Sequence, residues 1–252
     1  MPEVISLPNA GYRYVKGVFQ YSAGVASLPG FTLRRARLRR WMPLQEGFDF
    51  IEAHLRSEGL TLAAFCACEL RSPAPFTEEG FAAFNRVYVG TLQRWGLIRD
   101  GVNPVARTNV CPEFDKPSGP GFHAFTYAVP DPGNQPGSFV IAGSGEAPEG
   151  KGSYRDHAIR PGDVSADGLR EKAVWVFGEM ERRMAALGFG WADTTGSHVY
   201  TVHDIHPFLA SGDVVPAGAL ARGLTWHFAR PPVQGLDYEM DARSVGEEQV
   251  VG

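Results

Sequence analysis

The stretch Pro-Asp-Pro-Gly-Asn-Gln-Pro-Gly, residues 130–137, divides this chain of 252 residues almost in half. Three prolines and two glycines in eight positions are typical of a connecting segment, because both residue types interrupt helices and strands and favour turns. Single hydrophobic cores usually stop growing near this chain length, which favours two modules. We therefore predict a first domain over residues 1–130, a linker over residues 131–137 and a second domain over residues 138–252.

The same order of sequence signals occurs on both sides of this linker. Each half has a glycine-containing strand, a helix ending in glycine, a strand ending in a turn with proline, and an Ala-Arg dipeptide before a further strand. The matching segments are residues 19–24 with 139–143, 70–73 with 204–207, and 106–108 with 221–223. A degenerate tandem duplication explains this repetition. The shorter interval before the second Ala-Arg dipeptide predicts that the second helix is shortened in the second half.

Three amphipathic helices are predicted from apolar residues that recur at steps of three and four. The first follows Pro43 and ends at Gly59, the second begins at Thr77 and ends at Gly96, and the third covers residues 165–187. Short strands bounded by glycine and proline are predicted at residues 18–23, 61–70, 105–110, 122–129, 138–142, 197–202, 224–228 and 236–242. Their order lacks the regular spacing of a doubly wound sheet, so the predicted fold class is α+β.

Composition and charge exclude several classes of function. The hydrophobic fraction of 44% and the charged fraction of 21% are those of a globular protein. A formal net charge of -4 provides no overall attraction for nucleic acid. The apolar runs are strand-sized and no secretory signal is present, so we expect a cytoplasmic protein with no membrane contact. Five arginines between residues 34 and 40 fit either a solvated strand face or an anion-attracting patch.

No metal or organic cofactor is expected. Three cysteines in a chain of this length, without a Cys-x-x-Cys pair, predict buried thiols and neither a disulfide framework nor a zinc site. Among the histidines, His198 and His203 would point to opposite faces of a strand, and no carboxylate is placed to complete a ligand set.

Each half resembles the Rid family of reactive-intermediate imine deaminases, also called the YjgF or L-PSP family. The segments that carry the resemblance are FVIAGSGEAPEG at 139–150, DGLREKAVWVFGEMERRMAALG at 167–188, SHVYTVHDIHPF at 197–208, ALARGLTWHF at 219–228 and LDYEMDA at 236–242, with TEEGFAAFNRVYVGTLQRWG at 77–96 and NPVARTNVCP at 103–112 in the first half. The resemblance implies two Rid-like domains of the chorismate mutase-like barrel type. Each would be a mixed sheet with helices on one face. It also implies a homotrimer with ligand clefts between neighbouring domains.

The resemblance implies roles for three residues. The family's arginine, which holds the substrate carboxylate, falls on Arg222 and on Arg107, and a guanidinium suits this role because its planar fork binds a carboxylate through two hydrogen bonds. The family's glutamate, which orients the attacking water, falls on Glu239, where a carboxylate could act as general base. The matching place in the first half offers His123 in place of a carboxylate.

Several other residues are candidates for the site. Glu239 alternates with Asp237 and Asp241 on a predicted strand, so the three carboxylates share one face, where crowding would raise a pKa unless the strand is a solvated edge. Trp226 would share a strand face with Arg222 and could line a pocket for a planar substrate, although core packing explains it equally well. The family's opening segment is represented here by Gly11-Tyr12-Arg13-Tyr14, and Tyr14 or Tyr21 could line a pocket, although plain packing explains them equally well.

Together these observations predict an enzyme that hydrolyses a C–N bond. It would be a deaminase of the enamine or imine of a small carboxylated, possibly unsaturated and aminomuconate-like metabolite, releasing ammonia, with Glu239 and Arg222 as catalytic residues. One alternative is a hydrolase or lyase that acts on a cyclic or diene dicarboxylate, as chorismatases do, since these are also built from two diverged Rid-like halves. The other alternative is a Rid-like protein that binds a metabolite without turning it over.

Overall fold

The computed structural model describes residues 2–133, 137–209 and 214–252. The strands are β1 Val4–Leu7, β2 Tyr12–Val15, β3 Gly24–Ser27, β4 Phe31–Pro43, β5 Phe65–Arg71, β6 Ala106–Pro112, β7 Gly121–Pro130, β8 Phe139–Gly145, β9 Gly196–Tyr200, β10 Thr225–His227, β11 Ala229–Arg230, β12 Glu239–Ser244 and β13 Glu247–Val251. The helices are α1 Leu44–Ser57, α2 Glu78–Arg94, α3 Tyr154–His157, α4 Ala166–Ala186 and α5 His206–Leu209.

The three predicted helices are confirmed as α1, α2 and α4. The side chain of Thr77 caps α2 by accepting a hydrogen bond from the N–H of Gly80, and Ser165 caps α4 in the same way through Gly168. The strand predicted at residues 18–23 is wrong, because the regular strand begins only at Gly24. Residues 18–22 form only isolated bridges, one within the segment and one from Ser22 to β6.

The fold is α+β and contains two mixed sheets with the same internal strand order. In the first half, β4 and β5 are both antiparallel to β7, and β5 is parallel to β6. In the second half, β8 and β9 are both antiparallel to β12, and β9 is parallel to β10. In each half, four strands therefore lie side by side in the same order. The first strand along the chain neighbours the fourth, the fourth neighbours the second, and the second neighbours the third.

Strands at the two ends of the described chain cross between the halves. The N-terminal strands β1 to β3 extend the sheet of the second half, since β3 pairs with β8. The C-terminal strand β13 extends the sheet of the first half by pairing in parallel with β4. The domain limits 1–130 and 138–252 stay a prediction, and residues 134–136 of the predicted linker lie outside the described residues.

The sheets pack against each other and the long helices cover their outer faces. Helices α1 and α2 share one apolar core with the first-half sheet, and α4 shares a second core with the second-half sheet. Between the sheets most of the buried residues are small or aromatic, for example Ala106, Ala128 and Tyr12. Small side chains allow the sheets to approach closely, so polar groups that point inward are removed from water.

The arginine-rich stretch lies on β4, a strand that the sequence did not predict. Arg35 is buried and donates two hydrogen bonds to the carboxylate of Glu69, at 2.6 and 2.9 Å. Arg34 lies within 3.0 Å of carboxylate oxygens of Glu58 and Glu247. The other three arginines are exposed: Arg37, Arg39 and Arg40. Arg34 and Arg35 thus form ion pairs with carboxylates of the protein, whereas the other three arginines face the solvent.

In the described ranges, no helix is long and apolar enough to cross a membrane.

Candidate active site

A small pocket lies where the two sheets, α2 and the segment around α3 meet. It combines residues from both halves of the chain, with Arg107 from β6 and Glu239 from β12. The full lining is Tyr21, Phe81, Arg107, Asn109, Gly143, Gly145, Tyr154, Pro232, Val233, Leu236 and Glu239. The sequence-predicted residues that meet here are Arg107, Glu239 and Tyr21.

Arg107 is a buried cation surrounded by aromatic rings. Only 3% of its surface is exposed. Its guanidinium carbon lies 4.8 Å from the ring centroid of Tyr88, 5.2 Å from that of Tyr21 and 5.6 Å from those of Phe81 and Phe84. The faces of such rings attract the cation, but the rings accept few hydrogen bonds from its N–H groups. The Nη1 atom is buried and has no hydrogen-bond partner among the described residues, so the pocket holds a guanidinium ready to bind an anion.

Glu239 brings a buried carboxyl to the same pocket. It is the first residue of β12, pairs with Tyr200 of β9 and Gly145 of β8, and is 4% exposed. Burial raises the pKa of Glu239 well above its usual value, and the nearby carboxylates of Asp241 and Glu146 raise it further. Arg107 acts in the opposite direction. The group is therefore tuned to hold its proton at a pH where an exposed glutamate is ionised.

The backbone leading into Glu239 is fixed by a second buried carboxylate. Glu146 accepts hydrogen bonds from the N–H of Asp237 at 2.6 Å and of Tyr238 at 3.1 Å. Lys172 of α4 lies 3.2 Å from the Glu146 carboxylate and 2.5 Å from that of Asp237. Lys172 and Glu146 are both fully buried. Helix α4 thus anchors the start of β12 and the direction in which Glu239 points.

Glycine at position 143 provides the space for the Glu239 carboxyl. A Cβ atom on Gly143 would overlap the Oε1 atom of Glu239 and lie 3.1 Å from the Thr108 methyl group. The N–H of Gly143 donates to the Thr108 hydroxyl at 3.1 Å, which ties β8 to β6 beside the pocket. Any side chain here would displace the carboxyl, so the position requires glycine for close approach.

Tyr21 lies in a chain of polar contacts that begins at the pocket. Its hydroxyl donates to Glu149 at 2.8 Å, and Glu149 lies 3.0 Å from the guanidinium of Arg183. Burial raises the pKa of Tyr21 well above its usual value, and the charge of Glu149 adds to the rise. Burial likewise raises the pKa of the adjacent Tyr154 to about 12. Both phenols are therefore neutral at physiological pH and can donate hydrogen bonds.

Asn109 and Tyr154 line the pocket but were not predicted from the sequence. Asn109 follows Arg107 by two positions on β6, and strand alternation could have placed both side chains on one face. Tyr154 begins the four-residue helix α3 and packs edge-on against Phe81. The glycine-rich sequence around Tyr154 has no helical or strand periodicity from which a pocket residue could be predicted.

The structure does not bring Arg222 to Glu239. Arg222 is exposed in a turn closed by a hydrogen bond from the N–H of Gly223 to the carbonyl of Leu220, and it does not line the pocket. The sequence paired these two residues because they lie in the same half. In the folded chain the arginine that shares the pocket with Glu239 comes from the first half.

Three other predicted residues also lie away from this pocket. Trp226 is half-buried beside the second-half core and donates its indole N–H to the carbonyl of Thr201. Tyr14 is buried between the sheets. His123 lies near Glu69 and Arg71, and burial, with Arg71 next, lowers its pKa to about 3, so it stays neutral.

The three carboxylates predicted to share one face have different partners. Asp237 pairs with Lys172, while Asp241 accepts a hydrogen bond from the hydroxyl of Tyr200 at 2.8 Å. Glu239 has the strongly raised pKa, with burial as the larger cause and Asp241 as the next.

Among the described residues, no group of three or more histidine, cysteine or acidic side chains could hold a metal ion. The cysteines Cys66, Cys68 and Cys111 are free and buried.

Comparison with known proteins places this chain among enzymes that remove amino groups. It belongs to the 2-aminomuconate deaminase CnbZ family, whose family model matches residues 4–249. It is 49% identical over 253 residues to a 2-amino-5-chloromuconate deaminase from Comamonas testosteroni, and the match covers 100% of both chains.

Two solved structures are similar in fold. A chorismatase superposes with a TM-score of 0.48 at 11% sequence identity, covering 93% of this chain and 77% of that chain. A cyanuric acid hydrolase from A. caulinodans superposes with a TM-score of 0.42 at 12% identity, covering 88% of this chain and 69% of that chain. The family model and the relative identify the CnbZ family and do not support the assignment to the Rid family that the sequence motifs suggested.

Proposed function

We propose that this protein is a hydrolytic deaminase of a small unsaturated amino dicarboxylate of the 2-aminomuconate type, and that its active site is the pocket between Arg107 and Glu239. The observation that carries the proposal is the meeting of an incompletely paired, buried guanidinium with a buried carboxyl of raised pKa in one pocket. The family and the relative's name supply the substrate class.

Arg107 binds a substrate carboxylate in this proposal. The free Nη1 atom donates to the carboxylate, and the surrounding rings of Tyr21, Phe81 and Tyr88 keep water away from the ion pair. A planar conjugated chain suits a pocket that is also lined by proline, valine and leucine side chains and by the backbone of two glycines.

Glu239 moves the protons. As a neutral acid it donates a proton to the enamine carbon next to the amino-bearing carbon, which converts C=C–NH₂ into a C–C=NH₂⁺ iminium. The resulting carboxylate then accepts a proton from a water molecule as its oxygen bonds to the iminium carbon. The proton then passes from Glu239 to nitrogen, the C–N bond breaks, ammonia leaves as the C=O bond forms, and the hydroxyl proton returns to Glu239. The net change is addition of one water and release of one ammonia.

The repeated strand order supports a further part of this proposal, that each half is a Rid-like unit and that the site is a cleft between two such units. In this proposal the arginine and the glutamate belong to different units. The homotrimer that the resemblance implies stays a prediction, which sedimentation of the purified protein can test.

The test is ammonia release from freshly prepared 2-aminomuconate by the wild type and three variants. Arg107→Leu and Glu239→Gln should each lose at least a hundredfold in kcat/KM. Arg222→Ala is the matched control, because this exposed arginine lies outside the pocket, and it should retain wild-type activity. Loss of activity in Arg222→Ala with activity retained in Arg107→Leu would contradict the assignment. Binding of the substrate by the wild type without ammonia release would indicate a binding protein.

A further inference from the structure

Asn109 has an unusual environment for a buried amide. It lies on β6 two residues after Arg107, is 3% exposed and lines the same pocket. Its Oδ1 atom accepts a hydrogen bond from the hydroxyl of Ser72 at 3.0 Å, while its Nδ2 atom is buried and finds no partner within residues 2–133, 137–209 and 214–252. Buried side-chain N–H groups are nearly always paired, so an unpaired one that lines a pocket indicates a donor kept for a ligand.

The Ser72 contact holds the amide in one orientation. Ser72 is fully buried, and its own N–H donates to the carbonyl of Val110 on β6 at 3.0 Å, so it is fixed to the same strand as Asn109. Because the Ser72 hydroxyl donates to Oδ1, the Nδ2 atom has to face away from Ser72. The donor is thus positioned before any ligand arrives, which reduces the entropy lost on binding.

Asn109 and Arg107 together form a pair of donors. Alternation along β6 places both side chains on the same face of the strand. In the part of the chain that the structure describes, each has a buried nitrogen without a partner, Nη1 of Arg107 and Nδ2 of Asn109, and neither of these nitrogens can accept a hydrogen bond. The complementary ligand group has only acceptors, carries negative charge and is planar. An ionised carboxylate meets all three conditions, whereas a carboxamide would bring a donor toward two donors.

We infer that Asn109 is a specificity-determining residue whose Nδ2 atom donates to the substrate carboxylate that Arg107 binds. The inference deepens the proposed function and rests on it for the identity of the substrate.

The experiment measures binding separately from turnover. The probe is cis,cis-muconate, a dicarboxylate without the amino group, titrated calorimetrically into the wild type, Asn109→Asp and Asn109→Leu. Asn109→Asp preserves shape and the acceptor for Ser72 but replaces the donor with a negative charge, and Asn109→Leu removes the donor without adding charge. We expect the muconate Kd to rise about tenfold in Asn109→Leu and about a hundredfold in Asn109→Asp. The neutral diamide of muconate should bind these proteins with no such differences.

Asn103→Asp is the matched control. Asn103 is also buried and precedes β6, but it does not line the pocket. Its Oδ1 atom accepts from the N–H of Val105 at 3.0 Å, which an aspartate can also do, and only the longer contact from Nδ2 to the carbonyl of Phe19, at 3.4 Å, is lost. Its muconate Kd should equal that of the wild type. Thermal unfolding of each variant establishes that it is folded before titration.

Turnover of 2-aminomuconate, measured on the same samples, tests the role of Asn109 separately from the deaminase proposal. If the wild type releases ammonia but Asn109→Asp and Asn109→Leu keep the wild-type KM and muconate Kd, the inference is overturned and the deaminase proposal stands. If the wild type binds muconate in an Asn109-dependent manner but releases no ammonia, the deaminase proposal fails and the carboxylate site stands. A wild type that neither binds muconate nor turns over the substrate overturns both.

Discussion

The protonation state of Glu239 affects both the activity and the stability of the protein, because its carboxyl is buried near other carboxylates. In the unfolded chain this carboxyl titrates at its ordinary pKa, whereas burial raises its pKa in the folded protein. The folded state therefore binds a proton that the unfolded state releases between these two values. Stability is greatest below the ordinary pKa and decreases as the pH rises through the folded pKa.

Glu239→Gln should accordingly be more stable than the wild type at neutral pH, and the difference should shrink as the pH falls below the ordinary glutamate pKa. Thermal unfolding of both proteins across pH 4 to 8 measures this. The same variant should lose about a hundredfold or more in kcat. A variant that is less stable at neutral pH would indicate that the carboxylate is paired rather than isolated.

The pH dependence of turnover follows from the same raised pKa. The first proposed step needs the neutral carboxyl, so kcat should decrease as the pH rises past the pKa of Glu239. A pH–rate profile of the wild type should show this alkaline limb. The residual activity of Glu239→Gln should lack it, and a limb that persists in the variant would assign the titration to another group.

Gly143 is the second residue whose identity the site requires. Gly143→Ala should place a methyl group against Glu239 and Thr108, displace the carboxyl, and cost about 1–3 kcal/mol in stability together with most of the activity. Gly178→Ala is the matched control, since a Cβ there on α4 meets nothing within 4 Å, and it should stabilise the protein by up to about 1 kcal/mol. Urea unfolding and ammonia release measure both effects. Equal activities in the two variants would show that the carboxyl tolerates movement.

At the scale of elements, the start of β12 depends on α4 through buried charges. Lys172→Met removes the cation that faces Glu146 and Asp237, and leaves a buried carboxylate uncompensated, which should cost about 3–5 kcal/mol in unfolding free energy. Adding Glu146→Gln should recover part of this loss, because the double variant has no charge at Glu146 to bury. Urea unfolding measures both variants. Equal instability of the single and double variants would show that Lys172 acts through packing alone.

Helices were easier to predict from this sequence than strands, for a physical reason. The apolar stripes of α1, α2 and α4 are local patterns, and their caps and terminal glycines lie within a few residues. Strand β4 was not predicted, because a run of arginines is typical of a charged surface. The carboxylates that pair with these arginines come from β5 and β13. Partners that distant in sequence leave no periodic signal along the strand itself.

At the scale of the whole molecule, the site residues named from the sequence stay a prediction, and the structure shows which of them lie together. Arg107 and Glu239 could each be identified from the order of motifs, and the structure places both in one pocket. The partnership of Glu239 with Arg222 could not be tested by sequence, because it depends on which strands of two packed sheets face each other. Asn109 was missed for a similar reason, since its significance lies in an unpaired donor that only the packed structure defines.

The last prediction uses the exchange of strands between the halves. A chain expressed as two separate pieces, residues 2–133 and 137–252, separates Arg107 from Glu239 and β1 to β3 from their sheet partner β8. Neither piece alone should release ammonia, and each should expose unpaired strand edges and aggregate.

Expressed together, the pieces should purify as a complex, because the first piece supplies three strands to the sheet of the second and the sheets bury a shared apolar surface. The complex should regain activity, and Arg107→Leu in the first piece should abolish it. Activity in residues 137–252 alone would place the whole site in the second half and contradict a pocket built by both.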